Sequence, residues 1–159
     1  MTLLSLKYLH ILSMILLFGT GLGSAFYKWS ADRSGNILHI ANTNRHVVLA
    51  DWLFTTPTVI IQPLSGLWMA HLLGIPFSTP WLIASLVLYT IAGVCWLPVV
   101  WLQIKMHNIS KNAAAHQTEL PAQYWHYAHS WFYLGIPAFT TMLLIVYLMI
   151  FKSIPEVLL

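Results

Sequence analysis

Eight histidines stand in a chain of 159 residues that carries only seven Lys and Arg and four Asp and Glu. Imidazole ligates haem iron and other metals and moves protons near neutral pH, so the placement of these rings is the first chemical question the sequence poses. His10 lies inside an apolar run, on a face shared with Ser13, Leu17, Gly21 and Ser24 at spacings of three and four. At about 1.5 Å of rise per residue it sits roughly 10 Å from the start of its helix. Two chemistries are open to it: a buried neutral histidine bonded to a neighbour such as Ser65 or Tyr89, or an axial ligand to haem b. Met69 shares its depth, so a haem there has His10 alone or a His10 and Met69 pair as ligands. Its walls would be Gln62, Ser65, Ser85, Tyr89 and Thr140.

A second constellation lies toward the opposite surface. His126 and His129 are three residues apart, a spacing that lets two imidazoles meet one ion or one proton path. Asp51 and Gln103 fall near the same level. These residues make either a weak cation site, a proton entry or an interfacial hydrogen-bond network. His39 and His116 read as solvated loop residues, and His71, about 200° around its helix from Asp51, reads as an interfacial one.

The elements that must position these groups follow from composition. Hydrophobic residues make up 58% of the chain and charged residues 7%, against the roughly quarter that soluble domains carry. Apolar runs fall at Leu3 to Tyr27, Val47 to Leu73, Trp81 to Ile104 and Tyr127 to Phe151, each above the about 20 residues a bilayer core requires. The expectation is an all-α, integral membrane four-helix bundle, a single domain over 1–159 with spans near 3–27, 47–73, 81–104 and 127–151. The segments Lys28 to His46 and Lys105 to His126 read as long polar connections, and Gly74 to Pro80 as a tight turn. Lys28, Arg33, Arg45, Lys105 and Lys111 lie on one side and Lys7 and Lys152 on the other, so both termini are expected to be periplasmic in a multi-pass protein of the bacterial inner (cytoplasmic) membrane. The first run, interrupted by Lys7 and His10, reads as a retained helix, not a cleaved signal. No basic run could track a phosphate backbone, which excludes nucleic acid as a partner. The lone Cys95 excludes an intramolecular disulfide and a zinc site of paired cysteines.

Periodicity assigns faces. Asp51, Thr55, Thr58, Gln62, Ser65 and Met69 draw one stripe along the second span, and His126, His129, Tyr133, Thr140 and Tyr147 draw another along the fourth. With the His10 stripe these are expected to converge, Gly19 and Gly23 allowing close helix approach. Pro57, Pro63, Pro98 and Pro137 each remove a backbone donor and can open space by kinking a span. Trp29, Trp81, Trp101, Trp125 and Trp131 read as headgroup anchors.

Through Lys7-Tyr8-Leu9-His10, Asp51-Trp52-Leu53-Phe54-Thr55-Thr56-Pro57, Cys95-Trp96-Leu97-Pro98 and Gly135-Ile136-Pro137-Ala138-Phe139, the chain resembles an uncharacterised family of predicted bacterial integral membrane proteins. More distantly it is similar to the HemJ-type protoporphyrinogen oxidases and the CopD membrane domain, which share a histidine early in the first helix. It departs from the HemJ pattern at Ser85 and Trp96, where that pattern has a lysine and a histidine. The resemblance implies a haem-associated membrane oxidoreductase with His10 as ligand. The expected function is therefore a protein that binds b-type haem and acts in electron transfer or haem and porphyrin metabolism. Its expected partners are the lipid bilayer, a membrane-soluble porphyrin or quinone, and further copies or subunits in a membrane complex. The alternatives are a noncatalytic accessory or assembly subunit and a metal or proton conduit.

Overall fold

The computed structural model describes residues 2–152. Five α-helices follow one another: α1 (Leu3–Ser34), α2 (Ile37–Ala50), α3 (Thr56–Leu72), α4 (Pro80–His116) and α5 (Ala122–Phe151). A π-helical turn, Asp51–Thr55, joins α2 to α3 without a break. Four of the resulting rods, with Ile37–Leu72 counted as one, are long and apolar enough to cross a membrane. The protein is an all-α, multi-pass membrane bundle whose outer faces carry Leu, Ile and Phe side chains that only lipid can cover.

Local chemistry accounts for the ends. The Thr2 hydroxyl accepts from the backbone N–H of Ser5 and opens α1. Gly35, at a φ of 65° that suits glycine, closes it, and the Asn36 side chain caps α2 by accepting from the N–H of His39. The segments read as long polar connections are therefore mostly helical, broken only at residues 35–36 and 117–121. At about 1.5 Å per residue the 37 residues of α4 run about 55 Å, well past a hydrocarbon core of about 30 Å. Loss of apolar character marked where the chain leaves the bilayer, not where the helix stops.

Pro57 explains the π turn. It has no N–H to give the carbonyl four residues back, so the ladder shifts by one residue, and both the N–H and the Oγ1 of Thr56 reach the carbonyl of Asp51, the latter at 3.0 Å. Thr58 Oγ1 donates to the carbonyls of Phe54 and Thr55, at 2.7 and 2.8 Å, covering acceptors that the irregularity leaves open.

α1 packs along α3 and α4 along α5, while α2 lies between α1 and α4. α1 and α5 scarcely touch, and neither do α3 and α4. The two helix pairs are thus tied at the end of the bundle that holds α2 and stand apart deeper in the apolar spans. The tie is a buried polar cluster. Lys28, 2% exposed, donates from Nζ to Asp32 Oδ2 at 2.9 Å and to the Tyr124 hydroxyl at 3.0 Å. That hydroxyl donates to Asp32 Oδ1 at 2.6 Å and accepts from Asn44 Nδ2 at 3.0 Å, and Asn44 Nδ2 also reaches Ser110 Oγ. Side chains from α1 (Lys28 and Asp32), α2 (Asn44), α4 (Ser110) and α5 (Tyr124) are committed here, around an apolar core that includes Ile40, Val47, Met106 and Ala31. Lys28, expected as a topology charge in a solvated loop, is instead a structural cation.

Candidate functional site

The first polar constellation sits where α1 meets α3. Gln62 Nε2 donates to the His10 carbonyl and to Ser13 Oγ, both at 2.8 Å, and Ser13 Oγ donates to the His10 carbonyl at 2.9 Å. His10 Nδ1 lies 2.8 Å from Ser65 Oγ, which itself lies 2.6 Å from the Ile61 carbonyl. A hydroxyl has one proton; given to the Ile61 carbonyl at the shorter distance, it leaves Nδ1–H of His10 as donor and a lone pair on Nε2. Gly66 makes the approach possible, since a Cβ there would lie 3.2 Å from His10 Cε1. His10, Gln62 and Ser65 thus meet, as the stripes on these two helices required. His10 offers a competent ligand atom on a part-buried ring, while Ser65 and Gln62, expected as walls of a haem site, are committed to hydrogen bonds. Neither of the cavities described below touches His10 or Met69.

The fourth span does not join them. Tyr133 is 69% exposed and His126 and His129 are exposed too, while Thr140 lines the cavity described below and does not meet His10. His129 Nδ1 bonds only its own helix, at the Trp125 carbonyl. The stripe on α5 is real in spacing, but α5 spends its packing face on α4 through Tyr124, Trp131 and Leu148. Among the described residues no group of three or more His, Cys, Asp or Glu could hold a metal ion. Asp51 is likewise not brought to His126 or His129 by any hydrogen bond or ion pair among the described residues; its partner is Trp96, whose Nε1 donates to Oδ1 at 3.3 Å. Gly19 and Gly23 also depart from expectation: nothing lies within 4 Å of a Cβ built on either, so they border open space.

The second constellation is a cavity of about 360 Å³ between the two helix pairs. Its wall is drawn from α1 (Leu17, Phe18, Gly21), the π turn (Asp51, Thr55), α4 (Tyr89, Trp96, Gln103) and α5 (Trp131, Gly135, Phe139). An edge-to-face contact of Phe18 with Phe139, centroids 5.5 Å apart, and a bond of 2.5 Å from the Tyr89 hydroxyl to the Val59 carbonyl span the gap between the pairs. Because α1 and α5 barely meet and the lining residues Leu22, Phe132 and Ile136 are exposed, the cavity opens sideways into the bilayer. Its volume lies at the lower end of the about 300–1,000 Å³ of small-molecule pockets.

The walls are largely apolar and aromatic, with polar side chains at Thr20, Ser24, Asp51, Thr55, Gln103 and Thr140. Asp51 is 6% exposed and Trp131 8%, yet among the described residues Asp51 Oδ2 and Trp131 Nε1 have no hydrogen-bond partner. Leaving such a group unpaired costs about 1–3 kcal/mol. The buried amide of Gln103, on the same wall, makes no side-chain hydrogen bond among the described residues. Lys28 Nζ stands behind, 5.9 Å from the Trp131 ring centroid. A second cavity, about 470 Å³ between α1 and α2, is lined by Gly19, Gly23, Thr43 and His46 and shares Thr20 and Ser24 with the first.

Sequence reasoning found Asp51, Gln103 and Tyr89 but not Trp96, Trp131 or the Lys28 cluster. Tryptophan at a span end has two readings, headgroup anchor or wall, and only packing chooses between them: Trp29, Trp101 and Trp125 are exposed, Trp131 is not. The Lys28 and Asp32 spacing of four was a legible signal of an ion pair on one helix face.

The model of a family described as predicted integral membrane protein (DUF2269) matches residues 4–153, and the chain belongs to that family. No curated protein matches the chain. No solved structure matches it either.

Proposed function

We propose that this member of a family of predicted integral membrane proteins takes a lipophilic small molecule with a polar end out of the bilayer and holds it between its two helix pairs. The observation that carries this reading is the sideways-opening cavity, aromatic along its length and supplied with unpaired polar groups in one region. A wall of Phe18, Tyr89, Trp96, Trp131, Phe132 and Phe139 suits a flat ring. The volume favours one ring or two fused rings over a tetrapyrrole, so within the redox-active classes a quinone or quinol is preferred to a porphyrin. This keeps the protein in membrane redox chemistry as a binding or electron-handling component of the inner membrane, without a resident haem on His10.

The test is occupancy. Gly135 lines the cavity and a Cβ there would meet nothing within 4 Å, so Gly135→Leu fills the space with little strain on the fold. Native mass spectrometry of protein released from bilayers should show a small lipophilic adduct on the wild type that Gly135→Leu loses. Identical spectra for the two proteins, with the same fold by circular dichroism, would favour an accessory subunit whose inward residues only pack helices.

A further inference from the structure

We infer that the polar region of the cavity recognises a ring-borne hydroxyl, with Asp51 as acceptor of the hydroxyl proton and the Trp131 indole as donor to oxygen at the same end of the ligand. The inference rests on the cavity reading above and names the chemistry that the cavity selects. Three observations support it independently of the cavity's shape.

The Asp51 carboxyl is held by Trp96 Nε1 at Oδ1 and flanked by the Thr55 side chain, and Oδ2 has no partner within hydrogen-bond distance among the described residues. Trp131 Nε1 can only donate, so of the groups a ligand could present it pairs with an acceptor oxygen and not with an N–H. The buried Gln103 amide, which both donates and accepts, lines the same cavity. A hydrocarbon tail would leave Asp51 Oδ2 and Trp131 Nε1 unpaired. An ammonium would suit Asp51 but not Trp131, and a carboxylate or phosphate would suit Trp131 but stand against Asp51 with no cation in contact. Lys28, the cation standing behind the Trp131 ring, is already committed to Asp32 and Tyr124. A neutral hydroxyl on a flat ring suits either group, because the hydroxyl oxygen gives one proton to a carboxyl acceptor and accepts from an indole donor through its lone pairs.

The π turn places the carboxyl for this role. Displacement of the helical ladder before Pro57 puts Asp51 and Thr55 on the cavity wall, where both are buried. π turns of this kind recur at functional sites.

The experiment uses the full chain in lipid nanodiscs with two probes of equal ring size, 2-naphthol and 2-methoxynaphthalene, binding being measured above that of empty nanodiscs. The indole resonance of Trp131 in tryptophan-labelled protein, assigned with Trp131→Phe, reports contact at the polar end. The wild type should bind 2-naphthol at least about tenfold more tightly than the ether, since only the hydroxyl can give Asp51 a proton. It should also shift the Trp131 resonance. Asp51→Leu should reduce the preference to within about twofold. Trp131→Phe should weaken both probes together and keep the preference, because both carry the oxygen that accepts from the indole; this variant carries the test if Asp51→Leu does not fold. Equal affinity of the two probes for the wild type would overturn the hydroxyl assignment while leaving the cavity reading standing. Failure of both probes to bind would overturn the cavity reading and this inference with it.

Discussion

Replacing Tyr124 with Phe removes one oxygen and nothing else, and the structure says what that oxygen does. It donates to Asp32 at 2.6 Å and accepts from Lys28 and Asn44, both at 3.0 Å, in a side chain with no exposure at all. Bonds to charged partners are worth about 1.5–3 kcal/mol net and neutral ones about 1 kcal/mol. Asp32 is partly exposed and recovers water, and Asn44 keeps Ser110, so the main loss falls on Lys28, left buried with Asp32 as its only hydrogen-bonded partner among the described residues. Because the three bonds share one network, their sum overstates the effect, and about 3 kcal/mol is expected. The cluster is also the tie between α1, α2, α4 and α5, so the loss should appear as separation of the helix pairs. Reversible unfolding in mixed detergent micelles, followed by circular dichroism, measures it. The control is Tyr8→Phe, at an exposed ring, expected within about 0.5 kcal/mol of wild type. A Tyr124→Phe protein as stable as that control would refute the assignment of Lys28 as a structural cation.

Gly66→Ala should destabilise by about 1–3 kcal/mol in the same assay, because its Cβ would press on His10 Cε1 at 3.2 Å, whereas Gly23→Ala, facing open space, should gain up to about 1 kcal/mol from helix propensity. Gln62→Leu should cost about 1 kcal/mol, the scale of hydrogen bonds between membrane helices, through loss of its bonds to His10 and Ser13; no measurable change would argue against the α1 and α3 contact. His10→Ala should leave the visible absorption of protein expressed with ample haem supply unchanged, and a Soret band that vanishes in this variant would show that the helices part to admit haem. Reporter fusions at either end should report the same side, opposite to the Lys28 cluster, and a cytoplasmic reporter active at Leu159 would reverse the expected orientation.

The spans and one interface were legible from residue order; the assembly was not. Asp51, Gln62 and Ser65 recur at helical spacing and are all buried, because a polar atom in a span has nowhere else to go. The same arithmetic failed on α5. His126, His129 and Tyr133 share a face, but periodicity says only that residues point together, and which face is covered depends on the neighbour, here α4. Helix ends were misplaced for a related reason: hydropathy reports the solvent of a segment, while α1 and α4 continue as helices through the change of solvent until Gly35 and Gln117 take left-handed conformations. The cavity was beyond reach because it arises from helix pairs that do not meet. Pro57 hinted at an irregularity, but nothing in its spacing said that the displaced turn would carry Asp51 to an aromatic wall.

The most direct measurement of the central claim is site-specific photo-cross-linking in native membranes. With benzoylphenylalanine in place of Phe139, on the cavity wall, irradiation followed by mass spectrometry should capture a small lipophilic ring compound bearing a hydroxyl or ketone. The same group in place of Phe26, exposed on the outside of α1, should capture only phospholipid chains. Phospholipid adducts alone at both positions would mean that the gap between the helix pairs is filled by bulk lipid, and would contradict a ligand site there.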